Sequence, residues 1–447
     1  MRIDRITVQN FKKFAEQTFA LHPQFTLLVG ENGSGKTSVL DALTVALGIW
    51  LVKPPDSMLN GSRRNILEKE IRLEALPAGD RMQFLQRRPV TVTATGMVGD
   101  KNDLTWTRRI TAEGKTTSNA EAKDALSVIA DVYARVSKGE QVLCPVLAYY
   151  GAGRAWLPSN ERKKEKVNGG PARRWAAFYD CFNERIRFEE LRRWFHAETT
   201  AAGNLGGRMR PGFEAVKRAV LSCVPGADNI WYDVDQEDIV LSIGDQAQPF
   251  NNLSAGQRMM LALVADIAVK AVTQNAFLLP PDELGPDDGP LPRLLRQTPG
   301  VVLIDELDVH LHPSWQRQVA GDLKRTFPAI QFVCTSHSPQ VIGELSRDEV
   351  RLLRPEGAAL PPVAQGADSN WILDHVMENA ASETATARRL KDEAEEALAE
   401  GDLPRAQAKL TDFRRLLDGD TGELVRLESS LHALRALAQA AEEGEFA

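Results

Sequence analysis

The sequence has little of what marks a zinc-binding, secreted or membrane-spanning protein. Only four cysteines occur in 447 residues, and no C-x-x-C pair brings two of them together. This spacing argues against a zinc site or a disulfide framework and suits a reducing cytoplasm. No apolar run reaches about 18 residues, the length that predicts a membrane span. The composition therefore favours a cytoplasmic protein without a membrane segment.

The chain also lacks a large excess of either charge, since its formal net charge is −7. That value argues against general coating of nucleic acid. The charge is uneven: residues 154–218 hold 15 Lys and Arg against 8 Asp and Glu, whereas residues 378–447 hold 9 against 16. The basic middle predicts either a contact with nucleic-acid phosphates or a solvated helical face, and both alternatives stay open.

The stretch GENGSGKT, Gly30 to Thr37, fits the phosphate-binding pattern G-x-x-x-x-G-K-[ST]. An apolar run, Phe25 to Val29, predicts a buried strand before it, and apolar residues at helical spacing follow it. In this arrangement the loop N–H groups and the helix N-terminus point at bound phosphate. Lys36 is predicted to reach the β- and γ-phosphates. The predicted nucleotide-binding residues of the loop are Gly30, Asn32, Gly33, Ser34, Gly35, Lys36, Thr37 and Ser38.

A second pattern, VVLIDELDVHLHP from Val301 to Pro313, predicts a buried strand that ends at Asp305 and Glu306. An acidic pair at the end of a buried strand is costly unless a cation or a water molecule uses it. Asp305 and the Thr37 hydroxyl are predicted to hold Mg²⁺, and Glu306 to orient or deprotonate the attacking water.

Two further segments carry candidate residues. Ile330 to Ile342 predicts another buried strand, and His337 follows it, where the ligands of nucleotide-binding folds gather. We therefore expect His337 to contact the γ-phosphate. In the stretch from Asn251 to Val272, Ser254 is placed to cap a long helix and to present its hydroxyl to an anion.

The phosphate loop, LSAGQ, VVLIDE and the strand-end histidine, in this order, resemble the ABC-type ATPases, and among them the RecF/SMC-like branch. Five more specific stretches are similar to the defence-associated ATPases of the Septu type, which are also found beside some retrons. They are NFKKF, YYGAGR, DVHLHPSWQ, TSHSPQV and GADSNWIL. The resemblance covers nearly all of residues 1–375. Ala255 departs from the usual LSGGQ, Asp308 matches the D-loop position, and His337 matches the switch histidine.

This resemblance implies an α/β fold, in which an ABC-type head combines a mixed-sheet phosphate-loop core with an antiparallel β lobe and a helical lobe. It implies ATP and Mg²⁺ as ligands. It also implies a homodimer or higher oligomer in which two protomers sandwich two ATP molecules head to tail. Ser254, Gly256 and Gln257 would then meet the γ-phosphate that the partner subunit's Lys36 holds. The implied catalytic residues are Lys36, Glu306 and His337.

The predicted organisation has five parts: an ATPase lobe (1–154), a helical and basic lobe (155–250), the lobe with the signature and the acidic pair (251–350), a linker (351–382) and a helical C-terminal region (383–447). In the last part, periodic Ala and Leu with turns at Glu400 to Pro404 and Asp418 to Glu423 predict a helical hairpin or a three-helix appendage. This appendage either caps its own fold or forms a partner or oligomer interface.

Two functions remain open on these grounds. The first is an ATPase sensor and regulator of a separate nuclease, of the HNH type by resemblance, in an antiphage system. The second is a RecF-like DNA-repair ATPase that clamps DNA without a nuclease partner. No nuclease centre is predicted in this chain, because the only D-x-D after Leu345, Asp418 and Asp420, lies in a predicted turn. Long SMC-type arms are not predicted, because sustained heptads are lacking between Thr37 and Leu253.

Overall fold

The computed structural model describes residues 1–78, 81–155, 173–279, 291–354, 357–377, 385–417 and 421–444. They belong to two compact units, Met1–Ile372 and Leu373–Ala447. The boundary between the units lies inside the predicted linker, 351–382.

The first part of the larger unit is rich in strands. Buried and more exposed residues alternate along residues 90–98, as in a sheet with one face on the core. The strands and helices of this part are β1 (Arg2–Phe11), β2 (Phe14–Ala20), β3 (Phe25–Val29), α1 (Lys36–Leu47), β4 (Leu73–Ala78), β5 (Arg81–Gln86), β6 (Val90–Val98), β7 (Lys101–Ile110), β8 (Ser118–Glu121), α2 (Lys123–Ser137) and β9 (Val146–Tyr150).

The second part of the larger unit has more helix and returns to the central sheet. Its strands and helices are α3 (Phe188–Gly203), α4 (Pro211–Cys223), β10 (Ala227–Asp233), β11 (Asp238–Ile243), β12 (Gln246–Pro249), α5 (Ala255–Asn275), α6 (Arg293–Gln297), β13 (Gly300–Ile304), α7 (Pro313–Thr326), β14 (Ile330–Thr335), α8 (Pro339–Ile342), β15 (Val350–Arg354), β16 (Gly357–Ala359) and α9 (Ser369–His375).

A six-stranded sheet in the order β16–β15–β3–β14–β13–β9 forms the centre of the larger unit. Neighbouring strands from β15 to β9 pair in parallel, and β16 runs antiparallel to β15. Every residue of β3, β9, β13 and β14 is buried. Parallel strands covered on both faces need such continuous apolar runs. Because β3, β13 and β14 are parallel neighbours, the residues that follow them meet at one edge of the sheet.

A five-stranded antiparallel sheet, β2–β1–β6–β7–β8, supports the phosphate-loop helix. Trp106 Nε1 donates a hydrogen bond of 3.1 Å to the carbonyl of Ala46, and the Arg108 guanidinium donates one of 2.8 Å to the carbonyl of Val45. Both side chains are buried. Burial lowers the pKa of Arg108 to about 10, so it stays charged at neutral pH against the carbonyl end of α1. The antiparallel sheet therefore fixes the helix that begins at the phosphate loop.

These layers confirm the predicted fold class, an α/β head with a mixed sheet, an antiparallel lobe and helices. The start of the predicted linker at residue 351 is wrong, because β15 belongs to the central sheet. Val350 pairs with Leu27 and Leu352 with Val29, both in parallel. The strand is only five residues long and is followed by Pro and Gly, so its composition resembles that of a loop.

The smaller unit consists, in its described residues, of the helices α10 (Ala385–Ala399), α11 (Leu403–Leu417) and α12 (Gly422–Gly444). This is the three-helix form of the predicted appendage. Alanine and leucine side chains and one phenylalanine form its core, which contains Ala387, Ala394, Ala397, Ala406, Leu410, Phe413, Leu424, Leu427 and Leu431. Asp418 and Asp420 lie outside the described residues.

Helix α5 is the most apolar long helix of the described chain. With the short turn that follows, Ala255–Leu278 is long and apolar enough to cross a membrane by length and composition alone. However, 56% of its apolar window is buried inside the protein. The helix packs against α4 and β9, as the core helix of a globular domain does.

All four cysteines, which are Cys144, Cys181, Cys223 and Cys334, lie within the described residues. Each is buried, and none forms a disulfide. Burial raises the pKa of the Cys181 and Cys223 thiols to about 12. Burial also raises the pKa of Cys144, against the opposing effect of Arg174.

Candidate active site

The phosphate loop joins the buried strand β3 to helix α1. Gly33 and Gly35 have φ angles of 80° and 103°, in the left-handed region that glycine adopts without steric cost. A Cβ atom on Gly35 would lie 2.6 Å from the ring of Phe14. Gly35 is therefore required both for its backbone conformation and for the close approach of that ring.

The side chain of Lys36 folds back over the loop. Its ammonium donates hydrogen bonds of 2.8 Å to the carbonyl of Gly30 and 3.0 Å to that of Glu31. Burial lowers the pKa of Lys36, whereas the nearby carboxylates of Asp305 and Glu306 oppose that shift. A cation lies where it can exchange carbonyl partners for phosphate oxygens.

The predicted Mg²⁺ ligands, Thr37 and Asp305, are in direct contact. Thr37 Oγ1 donates a hydrogen bond of 2.9 Å to Asp305 Oδ2. The other carboxylate oxygen, Oδ1, accepts a bond of 2.6 Å from the hydroxyl of Thr335. Asp305 is buried at the end of β13, and these two hydroxyls satisfy both of its oxygens. The sheet thus orients one carboxylate beside the start of α1.

Glu306 lies in a backbone conformation that side chains other than glycine rarely adopt, with φ of 50°. Its backbone N–H donates a bond of 2.7 Å to the Thr335 hydroxyl. For a residue other than glycine, the left-handed conformation raises the free energy by roughly 1–2 kcal/mol. Such conformations occur where surrounding contacts stabilise them, often at functional sites. Thr335 therefore contacts both members of the acidic pair.

His337 follows β14, as the sequence predicts. Burial and the nearby charge of Lys36 lower the pKa of the imidazole, while Asp308, Glu306 and Asp305 oppose the shift. These electrostatic effects link five of the predicted site residues in one cluster at the edge of the sheet. Its members are Lys36, Asp305, Glu306, Asp308 and His337.

The remaining predicted loop residues differ in exposure. Asn32 is exposed, and Ser38 is half-buried at the start of α1. The Ser34 hydroxyl is buried and has no hydrogen-bond partner within the described residues. A buried hydroxyl without a partner is costly. Ser34 therefore fits a loop that receives a polar ligand.

The signature segment forms a separate feature. The Ser254 hydroxyl accepts a bond of 3.2 Å from the N–H of Gln257, and the Gln257 side chain accepts one of 2.9 Å from the N–H of Ser254. This reciprocal cap starts α5, as predicted. A Cβ on Gly256 would lie 2.7 Å from the carbonyl of His310, so glycine lets α5 pack on the turn after Asp308. Ser254 itself is exposed.

Sequence reasoning missed two residues that touch the site, Thr335 and Lys13, and left Phe11 and Phe14 open between core packing and stacking on adenine. Thr335 bonds the acidic pair, Lys13 Nζ donates a bond of 2.6 Å to the carbonyl of Gly33, and Phe14 packs on Gly35. Phe11 is buried in the core, whereas Phe14 is half-buried at the loop. The available signal was positional, because Thr335 precedes His337 and both rings belong to NFKKF.

Among the described residues, no group of three or more His, Cys, Asp and Glu is arranged to hold a metal ion. The pair Thr37 and Asp305 is a smaller set of oxygen ligands. Mg²⁺ in nucleotide sites is bound through one or two carboxylates together with substrate phosphates. The two residues therefore fit Mg²⁺ that arrives with a nucleotide.

Comparison with protein families gives two matches, both described as AAA domains. One covers residues 5–197. The other covers residues 241–343, and its description also refers to an AbiEii toxin of a type IV toxin–antitoxin system. The first match contains the phosphate loop, and the second contains LSAGQ, the acidic pair and His337.

Named relatives include two retron ATPases and a Septu protein. The chain is 36% identical to the retron Ec83 probable ATPase of Escherichia coli over 36% of this chain and 28% of that protein. It is 24% identical to the retron Vc95 probable ATPase of Vibrio cholerae, over 79% of this chain and 73% of that protein. The Septu protein PtuA of Bacillus mycoides is 25% identical to the chain, over 78% of this chain and 40% of that protein. The chain thus spans less than two thirds of the length of the Ec83 and Bacillus proteins.

Solved structures with some likeness include an Smc head bound to the C-terminal winged-helix domain of ScpA, with a TM-score of 0.46 and 13% identity over 80% of this chain and 97% of that one. The SMC head domain of Thermotoga maritima has a TM-score of 0.43 and 14% identity over 81% and 99%. In its two AAA-domain matches and its named relatives, the chain is similar to AAA/ABC-type nucleotide-binding ATPases, and among them to retron and Septu ATPases.

Proposed function

We propose that the chain binds ATP with Mg²⁺ and hydrolyses the bond between the β- and γ-phosphates. The observation that carries this proposal is the hydrogen bond of 2.9 Å between Thr37 and Asp305, which joins the phosphate-loop helix to the end of β13. A hydroxyl and a carboxylate are hard oxygen ligands of the kind that Mg²⁺ combines with phosphate oxygens. When bound, Mg²⁺ neutralises phosphate charge and stabilises the charge that develops in the transition state.

The phosphates themselves are held by the loop in this proposal. The Lys36 ammonium exchanges the carbonyls of Gly30 and Glu31 for β- and γ-phosphate oxygens. The loop N–H groups and the N-terminus of α1 supply further donors. The hydroxyl of Ser34, which has no partner in the described chain, is placed to donate to the same anion.

Glu306 is the general base of the proposed reaction. It accepts a proton from a water molecule while the water oxygen bonds to the γ-phosphorus and the bridging oxygen leaves with ADP. The low pKa of His337 keeps the imidazole neutral at physiological pH, so it has one N–H to donate to a γ-phosphate oxygen. The held backbone of Glu306 supports this role, because a base acts only within hydrogen-bond reach of its water.

A second copy of the chain completes the proposed site. Ser254 is exposed at the start of α5, where the helix N-terminus and the hydroxyl favour an anion. Head-to-tail pairing would bring the exposed cap of one protomer to the phosphate that the partner subunit's Lys36 holds. We therefore propose a homodimer, or a larger oligomer built from it, with ATP between the protomers.

The biological role that we propose is an antiphage sensor in the cytoplasm that regulates a separate HNH-type nuclease. The names of the retron and Septu relatives support this role, and the acidic C-terminal region offers a surface for a partner. The RecF-like alternative, a DNA clamp that needs no nuclease, has support from a match of 49% identity to RecF of Edwardsiella ictaluri, but over only 43 residues.

Two measurements test the proposal. A tagged chain expressed with its neighbouring genes is purified, and the proteins that co-purify are identified by mass spectrometry. A nuclease in near-stoichiometric amount supports the regulator, whereas the ATPase alone with DNA-stimulated hydrolysis supports the DNA clamp. Phosphate release is then measured for the wild type and for Glu306→Gln. Equal rates in the two proteins would show that Glu306 is not the base.

A further inference from the structure

Gln316 connects two segments that the site requires. It lies half-buried in the first turns of α7, and its side-chain Nε2 donates bonds of 2.9 Å to the carbonyl of Leu311 and 3.4 Å to that of Asp308. Its Oε1 accepts a bond of 2.6 Å from the hydroxyl of Ser338. One amide therefore joins the turn after β13 to the turn after β14.

Each of the joined turns carries a site residue. The 308–311 turn begins two residues after Glu306 and contains His310, with φ of 62°. The carbonyl of His310 packs against Gly256 of the signature. Ser338 follows His337 directly and caps α8, accepting bonds of 3.1 and 3.3 Å from the next two helical N–H groups. A shift of either turn would move the base, the signature helix or the histidine.

The chemistry at this position requires a primary amide. The Ser338 hydroxyl oxygen already accepts two backbone N–H groups. The hydroxyl therefore interacts with Gln316 as a donor, and the amide oxygen of Gln316 accepts this hydrogen bond. The two carbonyls need two donors, and the amide NH₂ has two. A glutamate of the same length would still accept from Ser338, but as a carboxylate it has no hydrogen for Leu311 or Asp308.

We propose that Gln316 is a positioning residue that couples the base, the D-loop turn and the histidine, so that they move as one body during hydrolysis. The inference rests on the proposed ATPase function. None of these three hydrogen bonds of Gln316 involves the phosphate loop. Its loss is therefore expected to lower turnover while nucleotide binding, through Lys36 and Thr37, is retained.

The test compares Gln316→Glu with Gln318→Glu in the full-length protein. Gln318 lies two residues along the same helix and is exposed, so the control makes the same chemical and charge change away from the contacts. For Gln316→Glu we expect kcat to fall about tenfold and the Kd of a fluorescent ATP analogue to change less than about twofold. Gln318→Glu should match the wild type in both.

A pH profile distinguishes positioning from a general loss of folding. A protonated carboxyl regains one O–H donor, so the deficit of Gln316→Glu should narrow from about tenfold at pH 8 to about threefold at pH 5.5. Equal kcat in the two variants would overturn the proposal. A deficit that is constant with pH, or a loss of nucleotide affinity above about fivefold, would overturn it as well.

A second measurement keeps the inference testable if the wild type fails to hydrolyse ATP, which would count against the proposed function. The backbone N–H groups of Val309 and Leu311 are bonded to the carbonyls of Glu306 and Asp308 within the turn. Hydrogen exchange at these two amides should be at least about threefold faster in Gln316→Glu than in Gln318→Glu. Equal exchange would mean that Gln316 does not hold the turn.

Discussion

Charged side chains lie in opposite surroundings in the central sheet and in the three-helix unit. At the edge of the sheet, Lys36 and Asp305 are buried, and their hydrogen bonds go to loop carbonyls and hydroxyls. On the helices, pairs such as Arg426–Glu395 and Arg405–Glu396 face solvent. Burial of Lys36 and Asp305 costs desolvation free energy and strengthens their electrostatic interactions. The pairs on the helices interact weakly, because water screens them. The difference teaches that burial gives the charges at the edge of the sheet an electrostatic strength that the solvent-facing pairs of the helices lack.

Replacing a buried cation should have the largest effect. Lys36→Met removes the ammonium that lies on the phosphate loop, and we expect hydrolysis to fall at least about a thousandfold with loss of ATP binding. The matched control is Lys409→Met, which removes a lysine paired with Glu393 on the surface of the helical unit. The control should stay within about twofold of the wild type. Similar losses in both variants would remove the distinction between the regions.

Glu306→Gln should have the next largest effect. The amide keeps the size of the side chain but cannot accept a proton, so turnover should fall about 10²- to 10³-fold. Binding of ATP should persist, because the loop contacts of Lys36 and Thr37 are unchanged. Phosphate release and nucleotide titration measure the two quantities separately. Wild-type turnover would exclude Glu306 as the base.

Phe413→Ala tests the comparison from the helical side. This ring is fully buried in the three-helix core, and its loss should destabilise that unit by about 3–5 kcal/mol. Because the two units are separately compact, basal hydrolysis should stay within about twofold. Hydrogen exchange along α10, α11 and α12 measures the local loss, and phosphate release measures activity. A parallel loss of hydrolysis would show that the sheet depends on the helices.

The smallest expected effect is on stability as the pH falls. Because burial lowers the pKa of His337 in the folded chain, the unfolded chain takes up a proton below about pH 6.5 that the folded chain does not. This part of the stability is complete above that pH and is lost as the pH falls towards the folded pKa. Thermal melting of the wild type and His337→Asn at pH 8 and pH 6 checks the sign. Between pH 8 and pH 6, the melting temperature of the wild type should fall by more than that of His337→Asn.

Most of the site was predictable because its chemistry is contiguous in the chain. Gly30 to Thr37 and the pair Asp305 and Glu306 each form a short pattern that few other uses would produce. The cap at Ser254 was predictable for the same reason, since it depends on residues three positions apart. The parallel core was predictable from unbroken apolar runs.

The parts that escaped prediction depend on distance in sequence. Thr335 bonds a carboxylate 30 residues away, and Gln316 bonds Ser338, 22 residues away. Both residues lie in segments whose position beside the site is visible in the sequence, but no sequence pattern assigns their hydrogen-bond partners. Strand β15 was not predicted because it has only five residues and is followed by Pro and Gly, a composition typical of a loop. Its strand conformation depends on pairing with β3, which lies more than 300 residues earlier in the chain.

The burial of all four cysteines makes the natural chain a ready background for site-specific labelling. A thiol reacts as its thiolate, and a pKa near 12 leaves almost none at neutral pH for Cys181 and Cys223. One cysteine introduced on an exposed face would therefore react far faster with a maleimide dye than the native thiols. Pairs of dyes, one on the larger unit and one on α11, would report the distance between the two units during ATP turnover.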